Sequence, residues 1–128
     1  MYKRKEVEKE TLNYFKGDTL ATSVWIDKYA LKDKEGNLLE KSPDDMHRRL
    51  AKEFVRIEQK YPNPIPEEEI YGLMKDFKYI IPQGSPMFGV GNSYQLSSLG
   101  NCFVIGESDS DSYSNIMRRD EEQAHLMK

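Results

Sequence analysis

Ser42-Pro43-Asp44-Asp45-Met46-His47-Arg48-Arg49-Leu50-Ala51-Lys52-Glu53-Phe54-Val55-Arg56-Ile57 carries a complete set of helix signals. Ser42 is a good N-cap, and Pro43 suits the first helical position because a helix start leaves that N–H unpaired anyway. Asp44 and Asp45 put negative charge where the helix dipole favours it. Met46, Leu50, Phe54 and Ile57 then recur at spacings of four, four and three, which is one face of a helix. Pro62 and Pro64 end the run. A further helix opens at about Pro66, with Glu67, Glu68 and Glu69 in its first turn and Ile70, Leu73, Met74 and Phe77 as its apolar residues.

Upstream, Met1 to Phe15 reads as a helix with Val7, Leu12 and Phe15 near one face, and Gly17 is placed to stop it. A second short helix starts at Asp18 or Thr19, with Leu20, Val24 and Trp25 as the expected buried face. Tyr29 to Glu40 reads as a hairpin: Tyr29-Ala30-Leu31 and Leu38-Leu39 flank a polar stretch whose Gly36-Asn37 supplies the turn.

Downstream the character changes. Ile80-Ile81-Pro82 is extended, and residues 83–93 hold turn-forming Gly and Asn residues plus Pro86, so a loop is expected there. Leu96 to Ile105 reads as a strand, with Phe103-Val104-Ile105 apolar on both faces as in a buried sheet. A polar, acidic loop follows. Asp111 or Ser112 then caps a last helix carrying Ile116, Met117, Ala124 and Met127. The expected fold class is mainly α with a small β component, residues 1–80 forming a helical domain with a small hairpin. A lone buried strand cannot satisfy its own backbone groups. The chain is therefore expected to be the front of something larger, with Leu96–Ile105 marginal or aggregation-prone on its own.

At 128 residues there is room for one core. Apolar residues at 38% and charged residues at 32% place the chain among polar globular proteins, not disordered ones. The net charge of −3 gives no general pull toward nucleic acid, and the basic start at Lys3, Arg4 and Lys5 is soon balanced by Glu6, Glu8 and Glu10. No apolar run approaches the ~20 residues of a membrane span, and the N-terminus lacks the order of a signal peptide. A single cysteine cannot form an internal disulfide, so a reducing cytoplasm is the expected compartment.

Cys102 is that cysteine, at the start of the apolar run and behind the polar loop Ser97-Ser98-Leu99-Gly100-Asn101. Free cysteine is among the most buried residue types, so one reading makes it an inert core residue. The other is a redox thiol facing a cleft, paired with a cysteine elsewhere. Gly89-Val90-Gly91 begins like a dinucleotide fingerprint, but Tyr94 stands at the third glycine position, which excludes that motif. His47 and His125 have charged neighbours and no metal-ligand spacing, and both are expected at the surface. Glu107-Ser108-Asp109-Ser110-Asp111 alternates oxygen side chains loosely like a calcium loop, without its central glycine or terminal glutamate. Ser112-Tyr113-Ser114 at a helix start is either a simple cap or an anion-holding turn.

The run Ile81-Pro82-Gln83-Gly84-Ser85-Pro86-Met87, then Ser97 to Ile105 with Asn101-Cys102, then Asp111-Ser112-Tyr113, resembles the large catalytic subunit of ribonucleotide reductase. Val24 to Leu31 and Met46 to Ala51 are similar to its N-terminal helical region. The likeness is closest to the adenosylcobalamin-dependent (class II) members. It implies that residues 81–128 begin an α/β catalytic barrel, with the loop, its first strand and the effector-site helix. Cys102 then matches one cysteine of a redox pair that gives two electrons to the ribose and is reset by a thioredoxin- or glutaredoxin-type reductant. Ser85 and Asn101 match substrate contacts, although many members have Ser where Asn101 stands. Asp111, Ser112 and Tyr113 match the start of the site for a deoxynucleoside triphosphate effector, and the helix after them matches a dimer contact.

The resemblance further implies a ribonucleoside di- or triphosphate substrate and no direct nucleic-acid binding. It also implies a radical supplied by adenosylcobalamin, or by a partner small subunit in class I members. The family's radical-bearing cysteine and second redox cysteine have no counterpart here. The chain is accordingly expected to be an N-terminal piece, whether a truncated product, an expressed fragment or one part of a split protein, and inactive alone. The competing expectation is a non-catalytic helical interaction or regulatory module with Cys102 buried and inert.

Overall fold

The computed structural model describes residues 1–106 and 111–127. In chain order these form α1 (Arg4–Tyr14), α2 (Thr19–Lys28), α3 (Pro43–Glu58), α4 (Glu67–Met74) with a 3-10 turn at Lys75–Phe77, α5 (Gly84–Gly89) and α6 (Tyr113–Met127).

α3 is the central element. The hydroxyl of its N-cap, Ser42, makes no capping bond; the Lys41 N–H instead donates to Asp45 Oδ2 at 2.8 Å. Met46, Leu50 and Ala51 are completely buried, whereas Phe54 and Ile57 are more than a third exposed because the apolar stripe runs past the edge of the core. Tyr71 and Met74 of α4, Trp25 and Ile26 of α2, and Val7 of α1 close around the buried part. The Trp25 indole N–H meets Met46 Sδ at 3.4 Å, so even the polar atom of this side chain is used inside the core.

Two details differ from the sequence expectation in the first two helices. α1 closes with the Gly17 N–H donating to Leu12 O at 2.9 Å, but the left-handed position is taken first by Lys16 (φ 54°) and then by Gly17 (φ 93°). In α2 the Asp18 side chain caps the Ala21 N–H at 2.9 Å as expected. Its buried face, however, is Thr22, Trp25 and Ile26, and Leu20 is turned to solvent. Thr22 can occupy the inward stripe because its hydroxyl donates back to Asp18 O at 2.7 Å.

Among the described residues no β-strand forms. The expected hairpin is a chain reversal with isolated antiparallel bridges, Lys32 to Leu38 and Tyr2 to Leu38. Asp33 organises it: Oδ1 accepts the N–H groups of Glu35 (3.0 Å) and Asn37 (2.8 Å), and Oδ2 accepts Asn37 Nδ2 (2.8 Å). The Asn37 side chain, followed by these backbone N–H groups, holds the Asp33 carboxyl below the usual carboxylate range. The expected buried strand Leu96–Ile105 is likewise corrected. It pairs with nothing, and Leu96 and Val104 are fully exposed. Residues 84–89, expected as loop, form α5; Pro86 is tolerated there because it sits in the first turn. No helix among the described residues is long and apolar enough to cross a membrane.

Candidate functional site

Ser85, in α5, and Asn101 meet across sixteen residues of sequence. The Ser85 N–H donates to Asn101 Oδ1 at 3.0 Å, and the Ser85 hydroxyl lies 2.5 Å from the same oxygen and 3.3 Å from Gly100 O. Asn101 Nδ2 in turn donates to Gln83 Oε1 at 2.5 Å. Cys102 follows Asn101 directly and is exposed. That exposure departs from the competing reading of Cys102 as a buried residue.

The loop reaches this geometry by folding back on itself. Asn92 Oδ1 accepts the N–H groups of Tyr94 (2.9 Å) and Gln95 (3.2 Å), turning the chain toward α5. A Cβ on Gly89 would stand 2.3 Å from Ser97 Oγ, so α5 packs closely against the returning loop here and a larger residue would make the Ser97 side chain shift. Gly91, at φ +71°, likewise lies against the Arg49 side chain.

Arg49 anchors α5 to the helical core. Its Nε donates to Glu40 Oε1 at 2.7 Å, Nη2 donates to Met87 O at 2.9 Å, and Nη1 donates to Val90 O. Glu40 is buried and also accepts the Leu31 N–H at 2.8 Å. One guanidinium thus ties the 29–40 reversal, α3 and the C-terminal end of α5 together. The sequence assigns no role to Arg49, Glu40 or Gln83, and nothing in the spacing of Arg49 on α3 signals a partner nine residues upstream.

Asp111, Ser112 and Tyr113 are exposed at the start of α6. Ser112 acts as a cap, its Oγ accepting the Asn115 N–H at 3.3 Å. No hydrogen bond among the described residues joins these three to the Ser85–Asn101 pair. Most of the calcium-like stretch 107–111 lies outside the described residues, and among those described no three His, Cys, Asp or Glu side chains could share a metal ion. Ile116, Met117 and Met127 of α6 are all exposed.

His47 is a second correction. It is completely buried, its ring edge-on to Phe77 with centroids 4.6 Å apart, and neither ring nitrogen has a hydrogen-bond partner. Burial pushes its pKa down, against the opposing fields of Asp44 and Asp76. His125, as expected, is exposed.

The family model for the ribonucleotide reductase all-alpha domain matches residues 15–93, more than half of the chain. The chain belongs to the ribonucleotide reductase family. It carries the N-terminal helical domain of that oxidoreductase of deoxyribonucleotide synthesis. The matched residues include Gln83 and Ser85 and stop short of Asn101, Cys102 and Asp111 to Tyr113. No curated protein and no solved structure matches the chain.

Proposed function

We propose that the chain is the N-terminal part of a ribonucleotide reductase catalytic subunit in which Cys102 is one half of the redox pair. The observation that carries this reading is the direct linkage of Ser85 to Asn101 beside an exposed thiol. A ribonucleotide bound there would find hydrogen-bonding groups for its sugar within one residue of a reductant. Two thiols, Cys102 and a cysteine outside this chain, become one disulfide while the ribose C–OH becomes C–H and water leaves. A thioredoxin- or glutaredoxin-type dithiol then restores the pair by exchange. The hydrogen abstraction that starts the reaction requires a thiyl radical, which Cys102 cannot supply while serving as reductant.

The finer assignments follow the resemblance. Asp111, Ser112 and Tyr113 are proposed to open the site for a deoxynucleoside triphosphate effector, with the carboxylate of Asp111 accepting from the sugar hydroxyl and the exposed apolar face of α6 meeting a second subunit. Adenosylcobalamin, or a small radical-bearing partner subunit, is proposed as the radical source. The substrate is a ribonucleoside di- or triphosphate, and the compartment the cytoplasm. Exposure of Cys102 counts against the non-catalytic module with an inert thiol.

The test is Cys102→Ser in an intact reductase containing this segment. Single turnover with pre-reduced enzyme and multiple turnover with a thioredoxin-type reductant should both be lost. Normal multiple turnover would remove Cys102 from the redox role.

A further inference from the structure

The polarity of the Ser85–Asn101 pair is set by a chain of hydrogen bonds that begins at an unambiguous donor. A backbone N–H can only donate, so the Ser85 N–H at 3.0 Å requires that Asn101 present its oxygen there. The amide nitrogen of Asn101 then faces the other way, toward Gln83 at 2.5 Å, and needs an acceptor. Gln83 supplies one with Oε1. The Ser85 hydroxyl lies between two acceptors, Asn101 Oδ1 and Gly100 O, so its proton is committed to one of them. Toward a ligand, Ser85 Oγ can then act only as an acceptor. Asn101 Nδ2 keeps one N–H beyond the bond to Gln83.

We propose that Gln83 is a positioning residue that, together with the Ser85 N–H, holds the Asn101 amide in one of its two orientations and so sets the donor and acceptor polarity of this pair. The proposal rests on the reading of Ser85 and Asn101 as substrate contacts, and it adds what they offer: one acceptor, at Ser85, for a donating sugar hydroxyl, and one donor, at Asn101, for a sugar or phosphate oxygen. If the amide turned over, Nδ2 would face the Ser85 N–H, donor against donor, and the hydroxyl would keep only Gly100 O as an acceptor. Gln83 is exposed, so it contributes little to the fold and its effect is confined to this choice.

Two substitutions separate acceptor from bulk. Gln83→Glu retains an acceptor for Asn101 Nδ2, whereas Gln83→Lys offers only donors and favours the turned amide. The measurement is amide hydrogen exchange of Ser85, with the Asn101 side-chain NH2 resonances, by NMR on the 128-residue chain. Ser85 exchange should be unchanged in Q83E and faster in Q83K by roughly threefold to tenfold, the range expected when one such bond is lost. The Asn101 NH2 pair should shift in Q83K alone. Equal Ser85 exchange in wild type and Q83K overturns the proposal, as does loss of protection in Q83E equal to that in Q83K. Titration with a ribonucleoside diphosphate tests the underlying reading separately. Shifts at Ser85 and Asn101 in wild type that weaken in Q83K support both. Gln83-dependent exchange without any nucleotide-induced shift leaves the positioning role standing and overturns the substrate reading.

Discussion

Arg49 and Glu40 form the most deeply buried ion pair among the described residues, their side chains 10% and 5% exposed and Nε to Oε1 at 2.7 Å. The pair survives burial because each partner has further hydrogen bonds: Glu40 also accepts the Leu31 N–H, and Arg49 also donates to Met87 O and Val90 O. Removing one partner leaves an uncompensated charge and several orphaned backbone groups, a loss of about 3–5 kcal/mol. Arg49→Met should therefore lower the urea midpoint sharply and free α5 from α3. A shift below about 1 kcal/mol would show that water replaces the guanidinium at little cost.

The His47 imidazole predicts an acid-sensitive core. Its pKa is lowered on folding, so the unfolded chain binds a proton at a pH where the native chain does not. The sign is then fixed: stability is undiminished above the ordinary histidine value and falls as pH drops below it, toward the lower native value. The groups facing the ring are Asp44 on α3 and Asp76 on the 3-10 turn, and both soften the effect. His47→Leu, which also removes two unpartnered buried nitrogens, should flatten the midpoint-versus-pH curve between neutral and mildly acid conditions. An unchanged slope in that variant would place the acid sensitivity elsewhere.

Tyr71 governs the opposite end of the pH range. Its hydroxyl donates to Asp44 Oδ1 at 2.5 Å, and Arg48 lies 3.4 Å from its ring centroid. Burial, and then the bond and field of Asp44, raise its pKa to about 12. A raised tyrosine pKa contributes stability that is whole below the unfolded value and is lost as pH climbs toward the native one. Native tyrosinate absorbance should therefore show two groups titrating well above the rest, Tyr71 and Tyr14, whose pKa burial raises still further, and Tyr71→Phe should remove one of them. That substitution should also cost about 1.5–3 kcal/mol, the worth of a hydrogen bond to a charged group.

The helical frame was legible because its signals are local. Ser42-Pro43 with two aspartates marks the start of α3, and Met46 and Leu50 mark its inward face. His47 was misplaced because charged neighbours suggest a surface, whereas its position beside Met46 and opposite Phe77 carries it inside. α5 was hidden by composition: two glycines and a proline in six residues mimic a loop, and the contacts with Arg49 and Asn101 that support the helix come from distant residues. The apolar run Phe103-Val104-Ile105 has strand chemistry, but a ladder is a pairing of distant segments and cannot be read from one of them. At the candidate site, Ser85, Asn101 and Cys102 were named through family likeness. Gln83, which links to them by a side-chain amide in the folded loop, has no signature in spacing.

Exposure of Leu96 and Val104 separates this segment energetically from the core. Neither side chain loses water on folding of the helical region, so Leu96→Lys and Val104→Lys should each change stability by less than about 0.5 kcal/mol. Met46→Ala, in the fully buried stripe of α3, should cost about 2–5 kcal/mol. The same lysines should suppress concentration-dependent association, because an apolar run with unpaired backbone groups invites edge pairing. Light scattering against concentration measures this; lysine variants that associate like the wild type would show that another surface is responsible.

Cys102 lies within that exposed segment, and its accessibility can be measured directly. A neutral disulfide reagent should modify it in the native chain at a rate within about threefold of the urea-unfolded chain, since the folded chain leaves the thiol exposed. Arg49→Met tests the connection to the core: it releases α5, and with it the Ser85–Asn101 bonds that hold the residue preceding the thiol. Cys102 reactivity should stay high in that variant while Ser85 amide exchange accelerates. Strong native protection of the thiol would mean that residues 96–105 are covered in solution, and would return Cys102 to the part of a packed side chain.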